Sequence, residues 1–249
     1  MTIYKKMRLD RIMVERGLAD TRSRAAELVR LGAVSVGGAT AGKAGMLVPA
    51  DVELAVRAEA LPYVSRAGLK LAAALDAFGL DAAGETALDL GASTGGFTEV
   101  LLARGAAKVF AVDVGRGQLH RKLRSDTRVI VLEQTDAREL NHALVPEPVG
   151  AITADVSFIS LIKALPAALA LAAPNAWLVA LVKPQFEAGP EAVGKGGIVR
   201  DPLHRAEAVK RVRDFIATGP GWTVVGELPS PITGTDGNEE ILVGARNTG

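Results

Sequence analysis

The sequence predicts an α/β protein: a doubly wound sheet of seven strands behind a small α+β domain. Three observations lead there. From Thr86 onward, short apolar runs alternate with segments of helical spacing. The first of those runs, Ala87 to Leu90, breaks at a glycine-rich turn and passes at once into a helical pattern, Phe97 to Ala103. The first sixty residues differ in kind, with two short amphipathic helices, short strand-like runs and a local excess of basic residues.

Composition sets the bounds. A chain of 249 residues has room for one domain plus a small one, and 49% apolar residues make it globular. With no cysteine there are no disulfides or thiolate metal sites, which fits a reducing cytoplasm. Met1 to Arg11 is charged and lacks the apolar stretch of a signal peptide. The most apolar region, Leu161 to Val182, is interrupted by Lys163, Pro166, Pro174 and Asn175 and reads as helix, turn and strand rather than a membrane span. The net charge of +1 is silent, but residues 1 to 30 hold eight Lys/Arg against four acids, which suits a polyanionic partner.

In the N-terminal part, Leu9, Ile12, Met13 and Leu18 outline a helix ending at Gly17. Asp20 or Thr21 caps a second helix, whose Ala25, Leu28, Val29 and Leu31 face inward and which Gly32 ends. Residues 33–36 and 52–56 read as strands. Arg22, Arg24 and Arg30 fall near one side of the second helix, with Arg8 and Arg11 nearby; guanidinium groups suit phosphate. Residues 1–60 form this domain, 61–64 a proline-containing linker, and 65–249 the rest. Ser65 caps a helix running to Phe78, packed through Leu69, Ala72, Ala73 and Leu75, on which Lys70 reads as a surface residue.

In the larger domain, strands are expected at 86–90, 108–112, 129–132, 150–154, 176–183, 222–228 and 240–246, and helices at 96–104, 160–171 and 203–217. Ligands of such sheets sit at the carboxyl ends of the strands. The turn Asp89-Leu90-Gly91-Ala92-Ser93-Thr94-Gly95-Gly96-Phe97 lets a ligand approach backbone amides at a helix N-terminus. Asp113, at the end of the next strand, suits a ribose diol, and Asp136 suits an adenine amino group. Ser93 stands where a dinucleotide fingerprint needs its second glycine. That departure favours S-adenosylmethionine, which presents a carboxylate rather than a pyrophosphate. Asp155 and Lys183 each close an apolar strand. Burial favours the neutral amine of such a lysine and a nearby acid favours the cation; a neutral amine could take a proton from a sugar hydroxyl. The glycine-rich loop 185–201 flanks the substrate entrance, with Lys195 and Arg200 available to phosphate. His120 is placed on a helix face. His120, His142 and His204 lack ligand spacing, so no metal is expected.

Two resemblances sharpen this. Arg8-Leu9-Asp10, Gly17-Leu18-Ala19, Ser23 to Val29 and Gly32 to Gly38 resemble the small RNA-binding domain named for ribosomal small-subunit protein four. That resemblance makes Arg8, Arg11, Arg22, Arg24 and Arg30 RNA-binding candidates, with folded RNA favoured because aromatic residues are scarce there. Asp89 to Thr98, Ala154 to Ser160, Leu181 to Glu187 and Gly237 to Glu240 resemble the ribose 2′-O-methyltransferases of the FtsJ type. The whole chain, including Gly115-Arg116-Gly117-Gln118-Leu119, is similar to the TlyA, or hemolysin A, family. The resemblance implies a Rossmann-like methyltransferase sheet, S-adenosylmethionine as cofactor and cytidine in ribosomal RNA as substrate. The implied cofactor residues are Asp89, Gly91 to Phe97, Asp113, Asp136 and Asp155. A catalytic tetrad is implied at Lys70, Asp155, Lys183 and Glu240, with Glu240 chosen over Glu239 by its spacing from Asn238. The chain stops soon after Glu240, which leans the expected target toward the large ribosomal subunit. The competing readings are an RNA-binding assembly factor without catalysis, a membrane-lytic protein and a nicotinamide oxidoreductase; the oligomeric state is open.

Overall fold

The computed structural model describes residues 6–57, 61–234 and 236–249. The chain divides into two compact units, 1–66 and 67–249. The expected end of the first domain, residue 60, lies outside the described residues. Arg24 ties the expected linker to this unit: its guanidinium donates to the carbonyl oxygens of Leu61 and Tyr63, and Leu61 is buried.

The first unit is α+β. Helix α1 (Leu9–Glu15) buries Leu9, Ile12 and Met13, and α2 (Arg22–Arg30) buries Ala25, Leu28 and Val29. Thr21 caps α2, its hydroxyl accepting from the Arg24 amide at 3.1 Å. Leu31 falls at the helix end and is only half-buried. Two small antiparallel sheets complete the unit. One pairs β1 (Lys6–Arg8) with β4 (Leu47–Pro49); the other orders β3 (Ala39–Thr40), β2 (Val34–Val36) and β5 (Leu54–Val56) as β3-β2-β5. β1, β3 and β4 were not expected. At two or three residues each, they are too short to show a period and exist through their partners.

The second unit holds a seven-stranded sheet of β6 (Thr86–Leu90), β7 (Lys108–Asp113), β8 (Val129–Glu133), β9 (Val149–Ala154), β10 (Ala172–Val182), β11 (Trp222–Pro229) and β12 (Ile241–Asn247). Their order is β11-β12-β10-β9-β6-β7-β8. β10, β9, β6, β7 and β8 run parallel, while β12 is antiparallel to both β10 and β11. This is the expected doubly wound α/β sheet. Strand order reverses at β6, which sits between β7 and β9, so the crevice at its carboxyl end is the ligand position.

Helices are α3 (Ala67–Phe78), α4 (Gly96–Ala103), α5 (Arg121–Arg124), α6 (Leu161–Leu169), α7 (Pro184–Glu187) and α8 (Pro202–Thr218). Four expectations are corrected. α3 packs through Gly68, Leu71, Ala74 and Leu75, with Leu69, Ala72 and Ala73 only half-buried. β10 starts at Ala172, with a register shift before Trp177 and Asn175 at φ +63°. The loop after β10 opens with α7 rather than as irregular chain. His120 caps α5, its Nδ1 accepting from the Lys122 amide at 3.2 Å, instead of lying on a helix face. Among the described residues no helix is long and apolar enough to cross a membrane.

Candidate active site

The turn after β6 is shaped by close approaches. Gly91 has φ +78°, and a Cβ there would stand 2.5 Å from the Asp155 carbonyl oxygen. Only glycine lets the ends of β6 and β9 come so near. Gly95, at φ +101°, has the Leu123 and Leu119 side chains where a Cβ would be, 2.2 and 2.9 Å away. Its role is packing against α5 and the loop before it. Beyond the turn, Asp113 ties two loops together: one carboxylate oxygen accepts from the Ser93 amide at 2.8 Å, the other from the Gly115 amide at 2.6 Å.

A cavity of about 920 Å³ opens at these strand ends. That volume is at the upper end of small-molecule sites. Gly91, Ser93, Asp113, Asp136 and Asp155 line it. Ala92, Thr94, Gly95, Gly96 and Phe97 do not; Phe97 and Ala92 are buried and Gly96 opens α4. Asp89 is likewise off the cavity. It is fully buried and accepts from the hydroxyls of Thr98 (2.6 Å) and Thr153 (2.9 Å), bracing α4 against β9. Burial pushes its carboxyl up to about 6 against the pull of those hydroxyls, with the Asp155 charge adding to the rise. Asp136 caps the turn 137–139, and Arg138 clasps both its oxygens and holds it down to about 2.

One supporting acid escaped the sequence reading. Glu133, at the end of β8, accepts from the amides of Gly117 (2.7 Å), Gln118 (2.9 Å) and Leu119 (3.2 Å) and from Arg124 (2.5 Å). Those amides, Gly117 first, hold it at about 2. The loop it gathers brings Gln118 to the cavity, where the Ser93 hydroxyl donates to Gln118 Oε1 at 3.1 Å.

The charged residues collect where β9, β10 and β12 meet. Val182 pairs with Ile241, so the next step of the register sets Lys183 beside Glu240; Asp155 follows the last residue of β9. Lys183 Nζ lies 2.6 Å from Asp155 Oδ1 and donates to Ser157 Oγ at 2.9 Å. Lys70, from α3, donates to Glu240 Oε2 at 2.5 Å. Lys70 is therefore a buried residue, contrary to the surface position its helix pattern gives it. Burial of that ammonium is tolerable because Glu240 is paired with it. Glu239 turns the other way: it is 67% exposed and 3.2 Å from Arg205.

Two more side chains brace this edge. Asn238 is buried; its amide donates to the Gly197 carbonyl (2.9 Å) and accepts from the Val199 amide (3.0 Å), so part of the loop after β10 is pinned beside Glu240. Glu187, raised by burial, accepts from Ser160 Oγ (2.6 Å) and the Leu161 amide (2.7 Å) and joins α7 to the start of α6. At the cavity edge Phe158 is 92% exposed, at φ +64°, with its ring centroid 5.2 Å from that of Phe186. Lys195 and Arg200 do not line the cavity.

Comparison with known proteins fits both units. Residues 63–247 match the FtsJ-like methyltransferase family, and residues 7–54 match the S4 domain. A 16S/23S rRNA (cytidine-2′-O)-methyltransferase TlyA of Mycobacterium tuberculosis is 47% identical over 97% of this chain and 90% of its own. The chain belongs to the TlyA family. A 23S rRNA (cytidine-2′-O)-methyltransferase TlyA of Campylobacter jejuni is 39% identical over 72% of the chain and 69% of its own. A solved structure from Streptococcus thermophilus, described as a hemolysin, superposes with a TM-score of 0.76 at 40% identity, covering 98% of this chain and 90% of that one. TlyA-family membership makes S-adenosylmethionine the methyl donor. The cavity fits it: Gly91, Ser93 and Asp113 line it at the strand ends, and the volume takes a nucleoside with an amino-acid arm.

Proposed function

We propose that this protein methylates the ribose 2′-hydroxyl of a cytidine in ribosomal RNA, in the cytoplasm where ribosomes are built. The observation that carries the reading is the Lys183–Asp155 pair at the cavity edge, backed by the Lys70–Glu240 pair on the same sheet edge. S-adenosylmethionine, when bound, supplies a methyl group already activated by its sulfonium charge. The chain's own task is then to place the hydroxyl in line and to remove its proton. Lys183 binds the hydroxyl oxygen. Asp155 and Ser157 fix the direction of its Nζ, and the hydroxyl proton passes to Lys183 acting as base or, where Lys183 steers the hydroxyl as a cation, to the Asp155 carboxylate beside it. Lys70 and Glu240 hold the β12 end of the site in place.

Cofactor residues in this reading are Gly91, Ser93, Asp113, Asp136 and Asp155, with Asp89 and Gly95 as supports. Phe158 offers a ring face to the target base, since nearly all of it is open to solvent beside the cavity. Arg8, Arg11, Arg22, Arg24 and Arg30 serve folded RNA, Arg24 while also holding the carbonyls of Leu61 and Tyr63. Large-subunit RNA is the first target to test, because 23S RNA is common to the names of both relatives.

The test is methyl transfer from labelled S-adenosylmethionine to purified large and small subunits, with ribose methylation mapped on the product RNA. Incorporation at a cytidine ribose by the wild type and none by Lys183→Ala supports the proposal. Equal RNA binding with no incorporation by either protein leaves a binding factor instead.

A further inference from the structure

The first unit contains a side-chain cluster that its arginine content alone does not explain. Asp10 lies on α1, its side chain only 6% exposed, with two guanidinium groups on its carboxylate. Arg8 donates through Nε (3.1 Å) and Nη2 (2.9 Å); Arg22, from the first turn of α2, donates through Nε (3.2 Å) and Nη2 (3.0 Å). Both arginines are at least half exposed. A guanidinium has five N–H donors in a fixed plane. Each arginine here uses its Nε side, so the Nη edge, with three donors, is left facing away from Asp10. That edge takes phosphate oxygens in a bidentate manner.

Two further details show the arrangement is built. The Asp10 amide donates to Ala44 O and the Leu9 amide to Met46 O, both at 2.9 Å, fastening the 44–46 loop beside the cluster. Gly45 then meets Arg8 face to face: a Cβ at Gly45 would be 3.0 Å from Nη2 and 3.2 Å from Cζ. The Arg8 guanidinium is thus confined between a carboxylate and a glycine backbone. Arg22 also borders a groove of about 420 Å³ with Ser23 and Arg30, in which Asp10 and Glu27 are the acids. Arg8, then Arg22, keep Asp10 ionised down to about 2.

We infer that Asp10 is a positioning residue for RNA: it pre-orients Arg8 and Arg22 as a fork for the phosphate backbone, with Gly45 keeping Arg8 in plane. This rests on the reading of the first unit as RNA-binding. The inference has an unusual sign. Removing a negative charge from a protein that binds a polyanion strengthens binding if charge alone matters. Asp10 removal instead weakens binding, because two long side chains must then be ordered at the moment of association.

The experiment measures binding of the full chain to a large-subunit RNA transcript across a salt series, without cofactor. Asp10→Asn binds about tenfold more weakly than wild type. Gly45→Ala, which displaces only the far end of Arg8, binds about threefold more weakly with an unchanged unfolding midpoint. In an Arg8→Ala/Arg22→Ala background, Asp10→Asn no longer weakens binding. In methylation assays the Asp10→Asn defect appears in the KM for RNA and not in kcat. Equal or tighter binding by Asp10→Asn, or an equal loss in the double-arginine background, overturns the inference. Failure of the wild type to bind the transcript at all overturns the RNA reading beneath it, so the two failures are told apart.

Discussion

Two lysine–carboxylate pairs stand at one edge of the same sheet and differ in access. Lys70 and Glu240 have side chains 6% and 3% exposed; Lys183 and Asp155, 12% and 16%. Among the described residues only the second pair reaches the cavity, through Asp155, and it has a further hydroxyl partner in Ser157. A sealed pair cannot pass a proton to a ligand, but it holds a charge pattern fixed. An open pair can do chemistry, at the risk of losing its geometry to water. The site divides these tasks, and each pair can be broken separately.

Breaking the open pair gives the largest effect. Lys183→Ala lowers kcat for RNA methylation by about 10³-fold, the usual scale for a lost proton-handling group. Cofactor affinity, read by titration, stays within about twofold because the cofactor-binding wall at Gly91, Ser93 and Asp113 is untouched. Breaking the sealed pair acts on stability first. Lys70→Met strands the Glu240 carboxylate and lowers unfolding free energy by about 3 kcal/mol. Lys70→Met/Glu240→Leu regains much of that in urea denaturation while methylation stays low. A single variant as stable as wild type would show that water reaches the Lys70–Glu240 pair and that the two pairs do not differ in access.

The two pairs were not equally legible in the sequence. Asp155 and Lys183 each follow an apolar run directly, so strand ends alone place them at one edge of a parallel sheet. The turn from Asp89 to Phe97 was legible as a turn for the same local reason. Which of its residues reach the cavity was not, because that depends on what α5 and β9 press against Gly95 and Gly91. Lys70 and Glu240 are 170 positions apart, and α3, Ala-Gly-Leu-Lys-Leu-Ala-Ala-Ala-Leu-Asp-Ala-Phe, is apolar nearly all round. A 3.6-residue period cannot choose a face on such a helix. Only the resemblance to a known family drew attention to both. Phe158 and Glu133 escaped for opposite reasons: an aromatic residue reads as core, and an acid after a strand reads as solvated.

Asp89 reports on the open pair from below. Its carboxyl is raised from the ordinary 3.8 to about 6, and the charge on Asp155 contributes to that rise. A carboxyl raised on folding binds more protons folded than unfolded across this interval. Its contribution to stability is therefore complete below 3.8 and declines as pH rises to about 6. The loss is about 3 kcal/mol by denaturant titration at successive pH values. Asp89→Asn, which cannot ionise, flattens that part of the profile. Asp155→Asn makes the decline smaller, since the charge opposing Asp89 ionisation is gone. An unaltered profile in Asp155→Asn would mean that the open pair is not sensed beneath the turn.

Phe158 separates the pairs most gently. It follows Ser157, whose hydroxyl holds Lys183, so it belongs to the open side alone. Its backbone sits at φ +64°, a region costly for a bulky residue, while its ring is exposed and only tilts against Phe186. An exposed ring on a strained backbone stabilises nothing in the free protein that could offset the strain. Phe158→Ala therefore leaves the unfolding midpoint unchanged, and Phe158→Gly raises it, because glycine adopts that φ without penalty. Both lower kcat/KM for RNA about tenfold, the scale of one lost base–aromatic stack. Neither alters cofactor affinity. Loss of stability in Phe158→Ala with full activity would make the ring a packing element and return the exposed edge of the site to Lys183 and Asp155 alone.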